Sequence, residues 1–109
     1  MEIRVDQNKL IIQLREQIHL LSYQQILYIE RFGKKTLVHT HDKEVSIHMS
    51  LKRIEKVLPA YFIRTHQSYL INKHRISELI AINKDLYECV FENEKSALVK
   101  KKVIEKLIS

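Results

Sequence analysis

Arg64-Thr65-His66-Gln67-Ser68 sets a guanidinium, an imidazole, a carboxamide and hydroxyls side by side, with no carboxylate among them. His and Gln side chains both donate and accept, which suits base edges, while Ser hydroxyls and backbone amides suit phosphate oxygens. The surroundings extend this chemistry. From Ile63 to Ser77 the chain carries Arg64, His66, Lys73, His74 and Arg75 and no acid. Arg31 to Lys43 holds Arg31, Lys34, Lys35 and Lys43 against Asp42 alone, and Lys100, Lys101 and Lys102 are consecutive. The stretch Asp85 to Glu94 between them is acidic. Charge sorted in this way is expected of several loops meeting on one positive face. Three separately solvated loops would give the same string, and charge alone favours that plainer reading.

Other chemistries find less support. His39 and His41 would share a face on a strand, with His48 not far off, but no Cys or patterned carboxylate completes a metal site. Cys89, between Glu88 and Val90, reads as a small core residue rather than a nucleophile. The single glycine excludes a phosphate-binding glycine loop. No enzyme, metal, cofactor or small-molecule substrate is expected.

The elements that must position these residues are mostly strands. Runs of β-branched and aromatic residues recur between polar breaks: Lys9 to Leu14, Gln17 to Leu21, Ile26 to Phe32, Thr36 to Thr40 and Glu44 to Met49. Gly33-Lys34-Lys35 makes a hairpin loop and Asp42-Lys43 a turn. The period then changes. Ser50 is an N-cap, Leu51, Ile54, Val57 and Leu58 have helical spacing, and Pro59 closes a short amphipathic helix whose other face carries Lys52, Arg53, Glu55 and Lys56. Strand patterns return at Tyr61 to Arg64, Ser68 to Ile71, Ile76 to Ile82, Leu86 to Phe91 and Ser96 to Val99, with a weak helical stripe of Val103, Ile104, Leu107 and Ile108 in the tail. The expected fold class is mostly β, with one short central helix and a short C-terminal one. A helix-turn-helix reader needs about three consecutive helical segments, which this pattern lacks.

With 109 residues, 45% of them apolar, one domain spanning 1–109 with a real core is expected. The formal charge of +6 favours a polyanionic partner without choosing among DNA, RNA and an acidic membrane. No apolar run approaches the ~20 residues of a membrane span, and the charged N-terminus lacks a signal-peptide stretch. With one cysteine, no intrachain disulfide is possible, and a cytoplasmic location is expected.

Three ordered blocks carry a family resemblance: Ile26 to Glu30 (ILYIE) followed by Leu37 to Thr40, the helix opened by Ser50-Leu51, and Phe62 to Asn72 (FIRTHQSYLIN) followed by Ile76. Together, over roughly Leu10 to Leu107, they resemble the LytTR domain of bacterial response regulators (the LytR/AgrA family of transcription regulators). The resemblance implies about ten short strands in stacked sheets. It also implies sequence-specific binding to double-stranded DNA in transcription regulation, commonly at paired direct repeats near promoters. Contacts then come from loops and strand ends in successive major grooves, often with bending. The family's contact positions map to the loop at Lys34 and Lys35, to His66 and Gln67, and to the turn that begins at Lys100.

The full candidate DNA-binding set is Lys34, Lys35, Arg64, His66, Gln67, Ser68, Lys73, Arg75, Lys100 and Lys101. Some roles stay open. His66 is a base contact or a satisfied structural histidine. Arg64 touches phosphate or braces the loop by pairing with a carboxylate such as Glu30, itself more suited to a structural role. Asn72 is expected to fix a turn through its side chain. The sequence departs from the family pattern at Gln67, where Arg or Asn is more usual, and at Val99-Lys100, where Ser-Arg is frequent. Base preference therefore does not transfer. A monomer that pairs on DNA repeats is expected; whether it is a stand-alone regulator or works with a receiver domain or regulatory partner outside these residues stays open. The alternative is a protein-interaction or oligomerisation module whose basic loops dock acidic partners.

Overall fold

Period-two alternation dominates the chain, and strands follow from it. The computed structural model describes all of residues 1–109. The strands are β1 (Glu2–Val5), β2 (Lys9–Gln13), β3 (Ile18–Ser22), β4 (Ile26–Phe32), β5 (Lys35–Thr40), β6 (Glu44–Ile47), β7 (Phe62–His66), β8 (Tyr69–Asn72), β9 (Ile76–Ala81), β10 (Leu86–Phe91) and β11 (Ser96–Lys100). Helix α1 (Leu51–Val57) follows β6, and α2 (Ile104–Ile108) ends the chain. The mostly β expectation holds, with one correction: β1 was not anticipated. It pairs antiparallel with β2, Glu2 opposite Gln13 and Val5 opposite Leu10, and its Ile3 packs onto the core.

The strands form three antiparallel sheets, ordered β1-β2-β3, β6-β5-β4-β8-β7 and β11-β10-β9. The five-stranded sheet lies in the middle and buries both faces. On one side Ile26, Ile29, Val38 and Leu70 meet Leu10, Ile12 and Leu21 of the N-terminal sheet and Leu51, Ile54 and Leu58 of the α1 region. On the other side Leu27, Tyr28 and Ile71 meet Cys89, Phe91, Ala97 and Val99 of the C-terminal sheet, with Leu107 of α2. Adjacent strand residues ordinarily face opposite sides, and a register shift between Ile26 and Tyr28 lets the adjacent Leu27 and Tyr28 both feed this second core while Ile26 and Ile29 feed the first.

Local signals explain the boundaries. Ser50 Oγ accepts from the Arg53 amide at 3.1 Å and caps α1. Gly33, at φ +61°, is the first residue of the two-residue β4–β5 loop, the position where a type II′ hairpin turn requires a positive φ. Buried Asn72 donates from Nδ2 to the Tyr23 and Ile26 carbonyls, both at 3.0 Å, and accepts from the His74 amide at 3.0 Å, as a turn-fixing side chain should. At the far end of the C-terminal sheet, Lys95 Nζ donates to the Thr40 carbonyl at 3.1 Å, clamping the β10–β11 hairpin onto the β5–β6 turn. No helix is long and apolar enough to cross a membrane.

Candidate nucleic-acid interface

The turn between β7 and β8 is the centre of the site. A register shift in β7 between Arg64 and His66 turns successive side chains to different layers. Arg64 points towards α1, where Nη1 meets Glu55 Oε1 at 3.4 Å. Thr65, wholly buried, donates its hydroxyl to the Leu98 carbonyl at 2.9 Å and so ties the turn to β11. The rest of the Arg64 guanidinium braces the turn itself, Nε donating to the His66 carbonyl at 3.0 Å and Nη2 to the Gln67 carbonyl at 2.7 Å. The bracing role therefore holds, but its carboxylate is Glu55 and not Glu30. Glu30 accepts from His39 Nε2 at 2.7 Å in the second core, a structural role.

His66 ends β7 and makes a structural bond there. Its Nδ1 accepts the Ser68 amide at 3.0 Å, so the neutral ring carries its proton on Nε2, the one nitrogen left to donate. Burial, and then the Lys100 and Arg64 charges, hold the imidazole below its ordinary value, so the neutral form is favoured. The Ser68 carbonyl accepts the Arg31 amide at 2.9 Å, which joins the turn to β4. Gln67 is exposed, and its carboxamide makes no hydrogen bond within the protein.

Two basic grooves flank this turn. The first, of about 690 Å³, is lined by Arg31, Lys34, Lys52, Arg53, Arg64 and Gln67, with His48 and Ser50, and by no carboxylate. The second, of about 500 Å³, is lined by His66, Lys100, Lys101 and Lys102 from one side and Asn83, Asp85 and Leu86 from the other. A smaller depression containing Arg64, His66, Gln67, Lys100 and Lys102 joins them. The Lys101 amide donates to the Asp85 carbonyl at 2.9 Å and fixes the basic turn at the end of β11. Acids pair with Lys9, His39, Arg64 and Arg75, leaving the lysines of both grooves free of any carboxylate within bonding reach.

The fold thus brings together Lys34, Arg64, His66, Gln67, Ser68, Lys100 and Lys101 of the expected set. Lys35 starts β5 beside Lys34, exposed but outside the groove lining. Lys73 and Arg75 stand apart. They follow β8 at its other end, where Lys73 Nζ donates to the Ser109 carbonyl at 3.1 Å and Arg75 pairs with Glu92. Conversely, Arg31, Lys52 and Arg53 line the first groove but were not singled out in the sequence, where the last two read only as the polar face of a helix. Cys89 is fully buried, and burial pushes its thiol up to about 12, which keeps it unreactive.

Comparison with known proteins completes the description. The family model described as the LytTr DNA-binding domain matches residues 16–108. The chain is 30% identical over 99 residues to the transcriptional regulatory protein NatR of Bacillus subtilis, covering 89% of this chain and 42% of that protein. It is 39% identical over 69 residues to the transcriptional regulatory protein LytR of Staphylococcus aureus, covering 62% of this chain and 28% of that one. The chain therefore spans less than half the length of either relative. A solved LytTr DNA-binding domain from Bacillus cereus superposes with a TM-score of 0.83 at 20% identity, over 95% of this chain and 99% of that one, and shares its fold.

Proposed function

The chain belongs to the LytTR family of DNA-binding domains, and from that premise we propose that it binds double-stranded DNA sequence-specifically, as the DNA-reading part of a bacterial transcription regulator. One observation carries the reading. An exposed, unpartnered Gln67 carboxamide is held on a braced turn between two basic grooves. A free carboxamide can pair in bidentate fashion with adenine, and the flanking lysines suit phosphates. Neither helix, at seven and five residues, is long enough for a recognition helix of the usual kind, which supports reading through turns and strand ends.

In this reading Gln67 and His66 Nε2 address base edges. Lys34, Lys100 and Lys101 grip phosphates on either side, aided by the Ser68 hydroxyl and by Lys35 at the hairpin tip. Arg64 acts mainly by holding the turn, and Lys73 and Arg75 lie outside the interface. The molecule is 45 Å in its longest dimension, more than the roughly 34 Å of one helical turn of DNA, so one copy is long enough to reach successive grooves; pairing of monomers on direct repeats is part of the same proposal.

The test is a fluorescence titration across a panel of duplexes obtained by binding-site selection. Lys100→Ala should weaken all duplexes alike and lower the salt slope by about 0.9. Gln67→Ala should also change the base preference. A selection that enriches no motif overturns the proposal in favour of a protein-interaction module, and unchanged affinity in both variants overturns the assignment of the contacts.

A further inference from the structure

We infer that Lys52 and Arg53 of α1, together with Arg31, hold a stretch of DNA sugar-phosphate backbone in the groove beside Gln67, adding a helix-borne segment to an interface otherwise made of loops. This rests on the proposed duplex binding and extends its footprint. Arg31, Lys34, Lys52 and Arg53 reach one concavity from β4, the hairpin and α1, and none has a carboxylate within 4.0 Å. The Arg31 guanidinium has only the Thr36 hydroxyl, at 3.1 Å from Nη1. Glu55, the acid on the same helix, is engaged by Arg64. Like charges gathered in this way repel one another, and a polyanion laid across them relieves the repulsion as it releases its counterions.

The groove is built for phosphate more than for bases or a small apolar ligand. Its only apolar lining comes from Met49 and Leu51, and the one ring in it is the His48 imidazole, with no Phe, Tyr or Trp on which a base could stack. The helix that carries two of its cations is anchored. Leu51 and Ile54 are buried in the first core and anchor α1, while Lys52 and Arg53 are exposed on the groove side. Lys56, exposed on the same helix, does not line the groove, so the cationic face of α1 divides into a part that meets the site and a part that does not. Because Gln67 lines the same groove, backbone held there runs straight on to the bases that Gln67 would read.

The test compares wild type, Lys52→Ala combined with Arg53→Ala, Lys56→Ala and Lys100→Ala, each first checked for an unaltered melting temperature. Binding to a selected and a random duplex is titrated over a range of salt. The double variant should lose affinity for both duplexes by the same factor, with a salt slope smaller than wild type by about 2 and an unchanged base preference. Lys56→Ala should leave the slope alone. If Lys100→Ala weakens binding while the double variant matches wild type, the inference falls and the duplex-binding reading stands. A change in base preference in the double variant, or an equal effect from Lys56→Ala, also overturns the inference. Failure of the wild type to bind any duplex removes both.

Discussion

Arg64 Nη2 donates to the Gln67 main-chain carbonyl at 2.7 Å, so the main chain that carries the exposed Gln67 carboxamide is held by the residue three positions before it. The same guanidinium reaches the His66 carbonyl and Glu55, a three-way fork that an ammonium cannot reproduce. Arg64→Lys keeps the charge and loses the brace. We expect it to reduce the preference for a selected over a random duplex more than it reduces affinity for the random one, with a stability loss of about 1 kcal/mol. Equal losses for both duplexes would mean that Arg64 serves DNA through charge alone.

Asn72 is 1% exposed and satisfies the Tyr23 and Ile26 carbonyls from one amide nitrogen. Asn72→Ala leaves both bonds unmade beneath the first core. A loss of about 2–4 kcal/mol is expected, read as a lower denaturant midpoint with an unchanged m-value. A midpoint shift no larger than that of a surface substitution would show that water replaces the side chain.

His39 is buried against Tyr28, with ring centroids 4.3 Å apart, donating to Glu30 from Nε2 and facing Lys95 Nζ at 3.4 Å from Nδ1. Burial dominates and holds its pKa below the ordinary 6.5, despite the opposing pull of Glu30. An unfolded chain then binds a proton that the folded one resists. Stability is therefore full above 6.5 and declines as pH falls from there through the depressed value. Melting temperatures measured down this range should fall more steeply for wild type than for His39→Gln. Parallel curves would sink the assignment.

Glu94 has φ +69° in the β10–β11 loop, a left-handed conformation that costs a side-chain-bearing residue. Glu94→Gly should stabilise the domain by about 0.5–1 kcal/mol, visible as a rise in melting temperature. A fall would place the contribution of Glu94 in contacts rather than in backbone geometry.

The sequence reveals the strands of this fold more readily than the company they keep. Runs such as Ile26 to Phe32 and Leu86 to Phe91 announce themselves because both cores demand β-branched and aromatic residues there. β1 escaped notice because Glu2-Ile3-Arg4-Val5 is four residues long and half charged, and only its pairing with β2 makes it a strand. The braced turn was legible through the Phe62 to Asn72 block, but not its partners. Glu55 comes to Arg64, and Lys52 and Arg53 come to Gln67, only because α1 folds back over β7. Lys73 and Arg75 show the reverse error. They are close to Ser68 in sequence, yet a four-residue strand such as β8 carries its ends about 10 Å apart.

Because β4 supplies Ile26 and Ile29 to one core and Leu27 and Tyr28 to the other, neither outer layer can detach without stripping support from the strand that both share. Melting should be a single event, with amide exchange slowest along β4. For a DNA reader this sets an all-or-none condition on supply. Under stress the population would divide into complete and unfolded molecules, with no half-folded form that keeps one groove while the other is lost.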